Sequence, residues 1–157
     1  MSSCALLGFM LANGRGGLAK DEKRAAELYQ KACAAGDPYG CSALGDMHCC
    51  GQGGLGKDGK RGSELYQRAC DGGFAHGSSK LGTMLLLGKG GLAKDEKRAV
   101  ALFRKSCDAE VMLGCVYLGS AYRDGRAGLA RDAGRAAELF QRACDEGEEK
   151  GCQELKR

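Results

Sequence analysis

Tryptophan is absent, and proline occurs once in 157 residues, at Pro38. β-Branched residues are few beside abundant Ala, Leu, Glu, Lys and Arg, a balance that favours helix over sheet. No apolar run approaches the ~18 residues that a membrane-spanning helix requires. A dominant charge is missing too: 24 Lys+Arg stand against 20 Asp+Glu, with the signs interspersed. The resulting net charge of +4 leaves no nucleic-acid footprint, so no nucleic-acid partner is expected. The charged stretches "LAKDEKRA" (18–25) and "LAKDEKRAV" (92–100) read as solvated helix starts. Histidine is limited to His48 and His76, neither within a motif. The patterns S-x-x-K, G-x-S-x-G, H-E-x-x-H, C-x-x-C and Walker A do not occur, so enzymatic activity has no motif to rest on. Residues 51–56, GQGGLG, fit G-x-G-x-x-G but lie outside any βαβ unit, which argues against dinucleotide binding. No cofactor and no metal is called for.

Two residue types are plentiful, with 27 glycines and ten cysteines. Such cysteine usage in a short chain points to an oxidising compartment or to metal. The cysteines are also periodic. Cys4, Cys41, Ser78, Cys115 and Cys152 follow one another at a single spacing, as do Cys33, Cys70, Cys107 and Cys144. On that frame the chain divides without a gap into units 4–40, 41–77, 78–114 and 115–151, with residues 152–157 opening a further helix. One repeat domain spanning 1–157 is therefore expected.

Each unit reads as two helices. The first, helix A, runs from the leading cysteine position to just before Gly14, Gly51, Gly88 or Gly125, where a left-handed residue ends a helix. A glycine-rich loop follows. Asp21, Asp58, Asp95 and Asp132 then stand at the N-cap of helix B. Helix B carries Ala25, Leu28, Tyr29 and Ala32 at helical spacing, and Leu65/Tyr66, Leu102/Phe103 and Leu139/Phe140 recur at the same points. Within helix A, Leu7-Gly8, Leu44-Gly45, Leu81-Gly82 and Leu118-Gly119 recur. Glycine inside a helix costs about 1 kcal/mol against alanine. Its fourfold repetition marks a close helix crossing. Neither helix buries its face alone, so the units stack. The apolar start "ALLGFMLA" is thereby helix A of the first unit rather than a leader, and no signal peptide is expected in this chain.

These residues resemble the Sel1-like repeat, a relative of the tetratricopeptide repeat. The resemblance rests on the helix-A Leu-Gly pair and the pattern Tyr122, Gly125, Ala127, Gly128, Leu129, Asp132. Helix B adds Arg24-Ala25, Arg98-Ala99, Tyr29 and Lys31-Ala32-Cys33. The helix-A tyrosine is kept only at Tyr122, with Leu11, His48 and Leu85 in its place elsewhere. The resemblance implies an all-α, right-handed solenoid of antiparallel helix pairs acting as an adaptor. With a cysteine pair per repeat the chain is similar to the cysteine-rich members, which include secreted Helicobacter proteins and a mitochondrial intermembrane-space assembly factor. A periplasmic or secreted location, or the intermembrane space, follows from that likeness. It also carries an alternative function, recognition of β-lactams or peptidoglycan fragments with weak β-lactamase activity.

The in-frame pairs Cys33–Cys41, Cys107–Cys115 and Cys144–Cys152 each join the end of helix B to the start of the next helix A. Disulfides are expected there, each worth about 2.5 kcal/mol by the loop-entropy estimate. Zinc stays open as a rival, although its ligands usually come two to four residues apart. Cys70 meets Ser78 in the frame, and Cys4 has no in-frame mate within the chain, so both are expected as thiols with Cys49 and Cys50. The stretch His48-Cys49-Cys50 reads as packing at a helix end, with a metal role as its alternative.

Variation between repeats suggests where a ligand binds. The most variable helix-A positions are Leu6/Ala43/Lys80/Tyr117, Phe9/Asp46/Thr83/Ser120 and Asn13/Cys50/Leu87/Asp124, all on one face. In related superhelices this face lines the concave groove. It is expected to read an extended peptide or protein segment, against the alternative of ordinary surface drift.

Overall fold

The computed structural model describes residues 1–157 and contains nine α-helices and no strand. These are α1 (Ser3–Asn13), α2 (Glu22–Ala34), α3 (Pro38–Cys50), α4 (Gly59–Asp71), α5 (Ala75–Leu87), α6 (Glu96–Asp108), α7 (Met112–Asp124), α8 (Ala133–Asp145) and α9 (Glu149–Leu155). Odd-numbered helices are helix A of a repeat, and α2, α4, α6 and α8 are helix B. None is long and apolar enough to cross a membrane.

The chain resolves into two compact units. The first comprises Met1–Gly77 with the loop Lys89–Leu92, and the second comprises Ser78–Gly88 with Ala93–Arg157. In the first, α1 packs on α2, α2 on α3 and α3 on α4. Its outlying loop is held by Ser63, whose Oγ lies 2.8 Å from the Gly90 carbonyl oxygen. In the second unit, α6 packs on α7, α7 on α8, and α9 closes on α8 and α7.

One device joins helix A to helix B in all four repeats. Helix A stops at a left-handed glycine, with φ of 62° at Gly14, 71° at Gly51, 61° at Gly88 and 67° at Gly125. The backbone N–H of the aspartate before helix B then donates back to helix A. Asp21 reaches the Leu11 carbonyl at 2.9 Å, Asp58 that of His48 at 2.8 Å, Asp95 that of Leu85 at 3.0 Å and Asp132 that of Tyr122 at 3.0 Å. The same aspartates accept from the backbone N–H three residues on, at Arg24, Arg61, Arg98 and Arg135. Each thus closes the loop with its main chain and caps helix B with its side chain.

The helix-A glycines have a specific partner. A Cβ on Gly8 would lie 2.9 Å from Cε1 of Tyr29, and one on Gly45 2.9 Å from Cε1 of Tyr66. On Gly82 and Gly119 it would lie 2.8 Å from the rings of Phe103 and Phe140. The aromatic residue of helix B therefore lies against the bare backbone of helix A in every repeat. All four rings are buried, Phe103 to 1% exposure.

Helix A starts earlier than the cysteine frame suggests. α3, α5, α7 and α9 begin at Pro38, Ala75, Met112 and Glu149, three residues ahead of positions 41, 78, 115 and 152. At α3 the cause is local. Asp37 caps the backbone N–H of Tyr39 at 3.0 Å, and Pro38 fits the first helical turn, where its missing N–H costs nothing. The leading cysteine accordingly lies inside the first turn. Ala127 (φ 58°) and Glu110 (φ 60°) are the two non-glycine residues in the left-handed region. Both stand where the other repeats use glycine, Ala127 at the position of Gly16, Gly53 and Gly90, Glu110 at that of Gly36, Gly73 and Gly147.

Candidate functional site

Three disulfides staple the joints between repeats: Cys33–Cys41, Cys107–Cys115 and Cys144–Cys152, with Cα separations of 4.4, 4.6 and 4.6 Å. Each ties the last turn of helix B to the first turn of the following helix A. The other four cysteines lie outside any disulfide: Cys4 and Cys50 exposed, Cys49 half-buried and Cys70 buried. No group of three or more His, Cys, Asp or Glu side chains is placed to hold a metal ion. His48, Cys49 and Cys50 diverge. His48 lines a hollow with Gln30, Arg61 and Arg68. Cys49 turns to α4, where its Sγ would be 2.3 Å from a Cβ on Gly62, while Cys50 faces solvent.

None of the variable helix-A residues is buried. Leu6 and Leu87 are 47% and 54% exposed. Asn13 is also exposed, and Phe9, Ala43, Asp46, Lys80, Thr83, Tyr117, Ser120 and Asp124 are half-buried. Several polar members bond to their own helix. Asn13 Nδ2 donates to the Phe9 carbonyl at 2.8 Å, Thr83 Oγ1 to Ser79 and Ser120 Oγ to Val116, both at 3.0 Å. The Arg15 guanidinium lies over the Phe9 ring, 5.4 Å from its centre.

Two clefts open on this face, one in each compact unit and at equivalent repeat positions. In the first unit a cleft of about 300 Å³ brings together Asn13, Ala43 and Asp46 with Tyr29, Tyr39, Glu22 and Gln52. In the second, about 210 Å³ brings together Tyr117, Ser120 and Asp124 with Phe103, Glu96, Arg123 and Arg126. Leu6, Phe9, Lys80, Thr83 and Leu87 line neither. The walls Tyr39, Gln52 and Arg126 lie at the joint and in the loop, where position 52 is Gln and its counterpart 126 is Arg, while Arg123 stands at a varying position of helix A, opposite Ala12, Cys49 and Leu86 in the other repeats.

The electrostatics of the clefts differ. In the first, Tyr66 Oη donates to Asp46 Oδ1 at 2.6 Å and fixes the carboxylate. Burial first, then the neighbouring Tyr39 and Asp46, push the Tyr29 phenol well above its usual pKa. Burial likewise raises Tyr39, with Asp46 and Asp37 adding to it. The Tyr29 and Tyr39 rings meet edge to face at 6.3 Å, and Tyr39 meets Phe74 in the same way at 5.7 Å. In the second cleft, Phe103 and Tyr117 stack at 4.7 Å. Arg123 Nε binds Asp124 at 3.0 Å, its Nη1 binds Glu154, and Arg126 binds Asp124 at 3.2 Å. The Arg123 hydrogen bond, ahead of burial, governs the Asp124 carboxyl and holds it below its ordinary pKa.

The Sel1 repeat model matches residues 2–37, 38–74, 75–111 and 113–148. Among solved structures, the chain is similar to a protective antigen of uropathogenic Escherichia coli strains with an SLR fold, at 27% identity and a TM-score of 0.87 over 98% of this chain and 32% of that one. A Sel1 repeat protein from Oxalobacter formigenes gives 28% identity and 0.85, over 97% of this chain and 60% of the other. Cysteine-rich protein B of Helicobacter pylori gives 26% and 0.64, over 87% and 96%. The chain thus spans about a third and 60% of the first two relatives. Among curated proteins, none matches it in sequence.

Proposed function

The chain belongs to the Sel1 repeat family, and we propose that it is a disulfide-stapled scaffold whose helix-A face binds an extended peptide or protein segment. One observation carries this reading. The residues that vary most between repeats stay accessible, and six of them converge on two equivalent clefts. Framework positions of the same helices, such as Leu44, Gly45, Leu118 and Gly119, are buried. The chain therefore separates what holds the fold from what faces a ligand. Sel1 repeats generally mediate protein interactions, which agrees with this division. The three disulfides and the likeness to the Helicobacter protein support an oxidising, extracytoplasmic setting. The four repeats are proposed to make up one repeat domain over residues 1–157.

The test uses the full chain, oxidised, as bait in extract from its source, beside Lys80→Ala/Thr83→Ala/Tyr117→Ala. All three residues are half-buried, and because Tyr117 stacks on Phe103, Tyr117→Phe, which keeps the stack, serves as the control for folding. Partner capture should be lost while helicity and the three disulfides persist. Capture by the triple variant at the original level would defeat the reading.

A further inference from the structure

We propose that the hollow between α2, α3 and α4 binds a phosphate monoester, with Arg61 and Arg68 holding the phosphoryl oxygens, His48 at the wall and an apolar floor for the group that carries the phosphate. The site shares no residue with the two clefts of the helix-A face, so it adds a function to the peptide reading instead of resting on it.

The repeat frame shows what sets this hollow apart. In the second unit Tyr122 stands at the place of His48, Arg104 at that of Gln30 and Arg135 at that of Arg61. Those three close on one another. Arg104 Nη2 donates to the Tyr122 hydroxyl at 3.2 Å, and the Arg135 guanidinium lies over the Tyr122 ring, 5.5 Å from its centre. In the first unit an imidazole replaces the phenol, and Gln30 is shorter than arginine. A hollow of about 360 Å³ lies among Gln30, His48, Arg61 and Arg68. His48 Nδ1 is buried and has no hydrogen-bond partner. Buried polar atoms are nearly always paired, so an unpaired one at the wall points to a group supplied from outside the chain.

The charge of the lining selects the group. No Asp or Glu lines the hollow. Arg61 and Arg68 stand two turns apart on α4 and share a face. Arg61 meets Glu64 at 3.1 Å with both side chains about half exposed, a pair that solvent leaves weak. Arg68 Nη2 donates to the Cys33 carbonyl at 3.0 Å. That bond fixes the guanidinium at the hollow and uses one of its five donors, and a carbonyl does not neutralise its charge. One guanidinium fork satisfies a carboxylate. Two forks beside an imidazole suit a phosphate ester, which carries about −1.5 to −2 at neutral pH and three acceptor oxygens. Leu44, Leu55 and Leu65 supply the apolar surface, and the volume is in the range of small-molecule sites.

The test titrates the isotope-labelled, oxidised full chain with phenyl phosphate, inorganic phosphate and benzoate. Phenyl phosphate should bind in the millimolar range and move the amide resonances of His48, Arg61 and Arg68. Inorganic phosphate lacks the apolar body and benzoate the second charge, and each should bind about tenfold more weakly. His48→Tyr installs the residue that the fourth repeat carries at this place. It should abolish the shifts while circular dichroism and the three disulfides persist. Arg61→Gln, on an exposed side chain, should weaken phenyl phosphate about tenfold, whereas Arg135→Gln in the second unit should leave it unchanged. Benzoate or inorganic phosphate equal to phenyl phosphate, shifts confined to other regions, no saturable shifts, or parental affinity in Arg61→Gln would each overturn the assignment. Parental affinity in His48→Tyr would overturn it too, and if that variant does not fold, Arg61→Gln decides. None of these outcomes bears on capture by the helix-A face, which the Lys80, Thr83 and Tyr117 substitutions test separately.

Discussion

Replacing Gly119 by alanine tests a helix crossing at which an aromatic ring lies directly against the glycine. In an ordinary helix interior the change stabilises by about 1 kcal/mol. Here the new methyl carbon would stand 2.8, 3.1 and 3.2 Å from three carbons of the Phe140 ring. That ring is 3% exposed and has no room to retreat. Overpacking of this kind costs about 1–3 kcal/mol, so Gly119→Ala should lose about 1–2 kcal/mol net. Phe140→Ala alone should cost about 3–5 kcal/mol through its cavity. In that background the obstacle is gone, and Gly119→Ala should recover up to about 1 kcal/mol. The sign therefore reverses, with a coupling of about 2 kcal/mol or more between the two sites. Urea unfolding of the four oxidised proteins, followed by far-ultraviolet circular dichroism, measures it. Phe140→Leu replaces Phe140→Ala if the latter does not fold. A stabilising Gly119→Ala in the parent chain, or a coupling near zero, would refute the ring-on-backbone account.

Other outcomes follow from the same structure. Denatured, unreduced protein should show four thiols by mass after alkylation, whereas in the native state Cys4 and Cys50 react quickly and Cys70 only on unfolding. Cys107→Ala/Cys115→Ala should lower stability by about 2.5 kcal/mol in denaturant melts. Ala127→Gly and Glu110→Gly should each raise it by about 0.5–1 kcal/mol, because both residues hold a left-handed conformation that glycine adopts without strain. The Asp124 carboxyl titrates lower when folded than when unfolded. Its contribution is thus present above the unfolded value of about 3.9 and is lost as pH falls through the folded one. Acid titration of Asp124→Asn should show a weaker loss over that range.

Much of the fold is legible because each repeat restates the same local chemistry. An aspartate before an amphipathic run and a glycine after one mark helix ends through backbone valences that must be met, and four copies remove the ambiguity of one. The Leu-Gly pair likewise announces a close crossing. Its partner is less legible, since Tyr29 or Phe140 reads simply as part of an apolar stripe until the ring is seen against the glycine. The early start of helix A escapes a frame cut on cysteines. A staple reports where two turns meet, and helix initiation at Asp37-Pro38 obeys capping instead. The clefts are half legible. Variation picks out Asn13, Ala43 and Asp46, but Tyr39 sits at the joint and Gln52 in the loop, outside the helix face being compared.

The staples also decide how the protein responds to a protease. Each disulfide spans the short turn from helix B to the next helix A, whereas the glycine-rich loops from helix A to helix B have no covalent bridge across them. A cut in the turn at Ala35–Gly36 leaves both flanking helices bonded through Cys33 and Cys41. A cut at Gly16–Gly17 or Gly53–Gly54, where packing and backbone hydrogen bonds but no covalent link span the break, divides the polypeptide outright. In a digestive or inflamed environment the joints are thus insured and the loops are not. The fragments released without a reductant should begin and end within those loops, each carrying an intact stapled pair of helices wherever both cysteines are present.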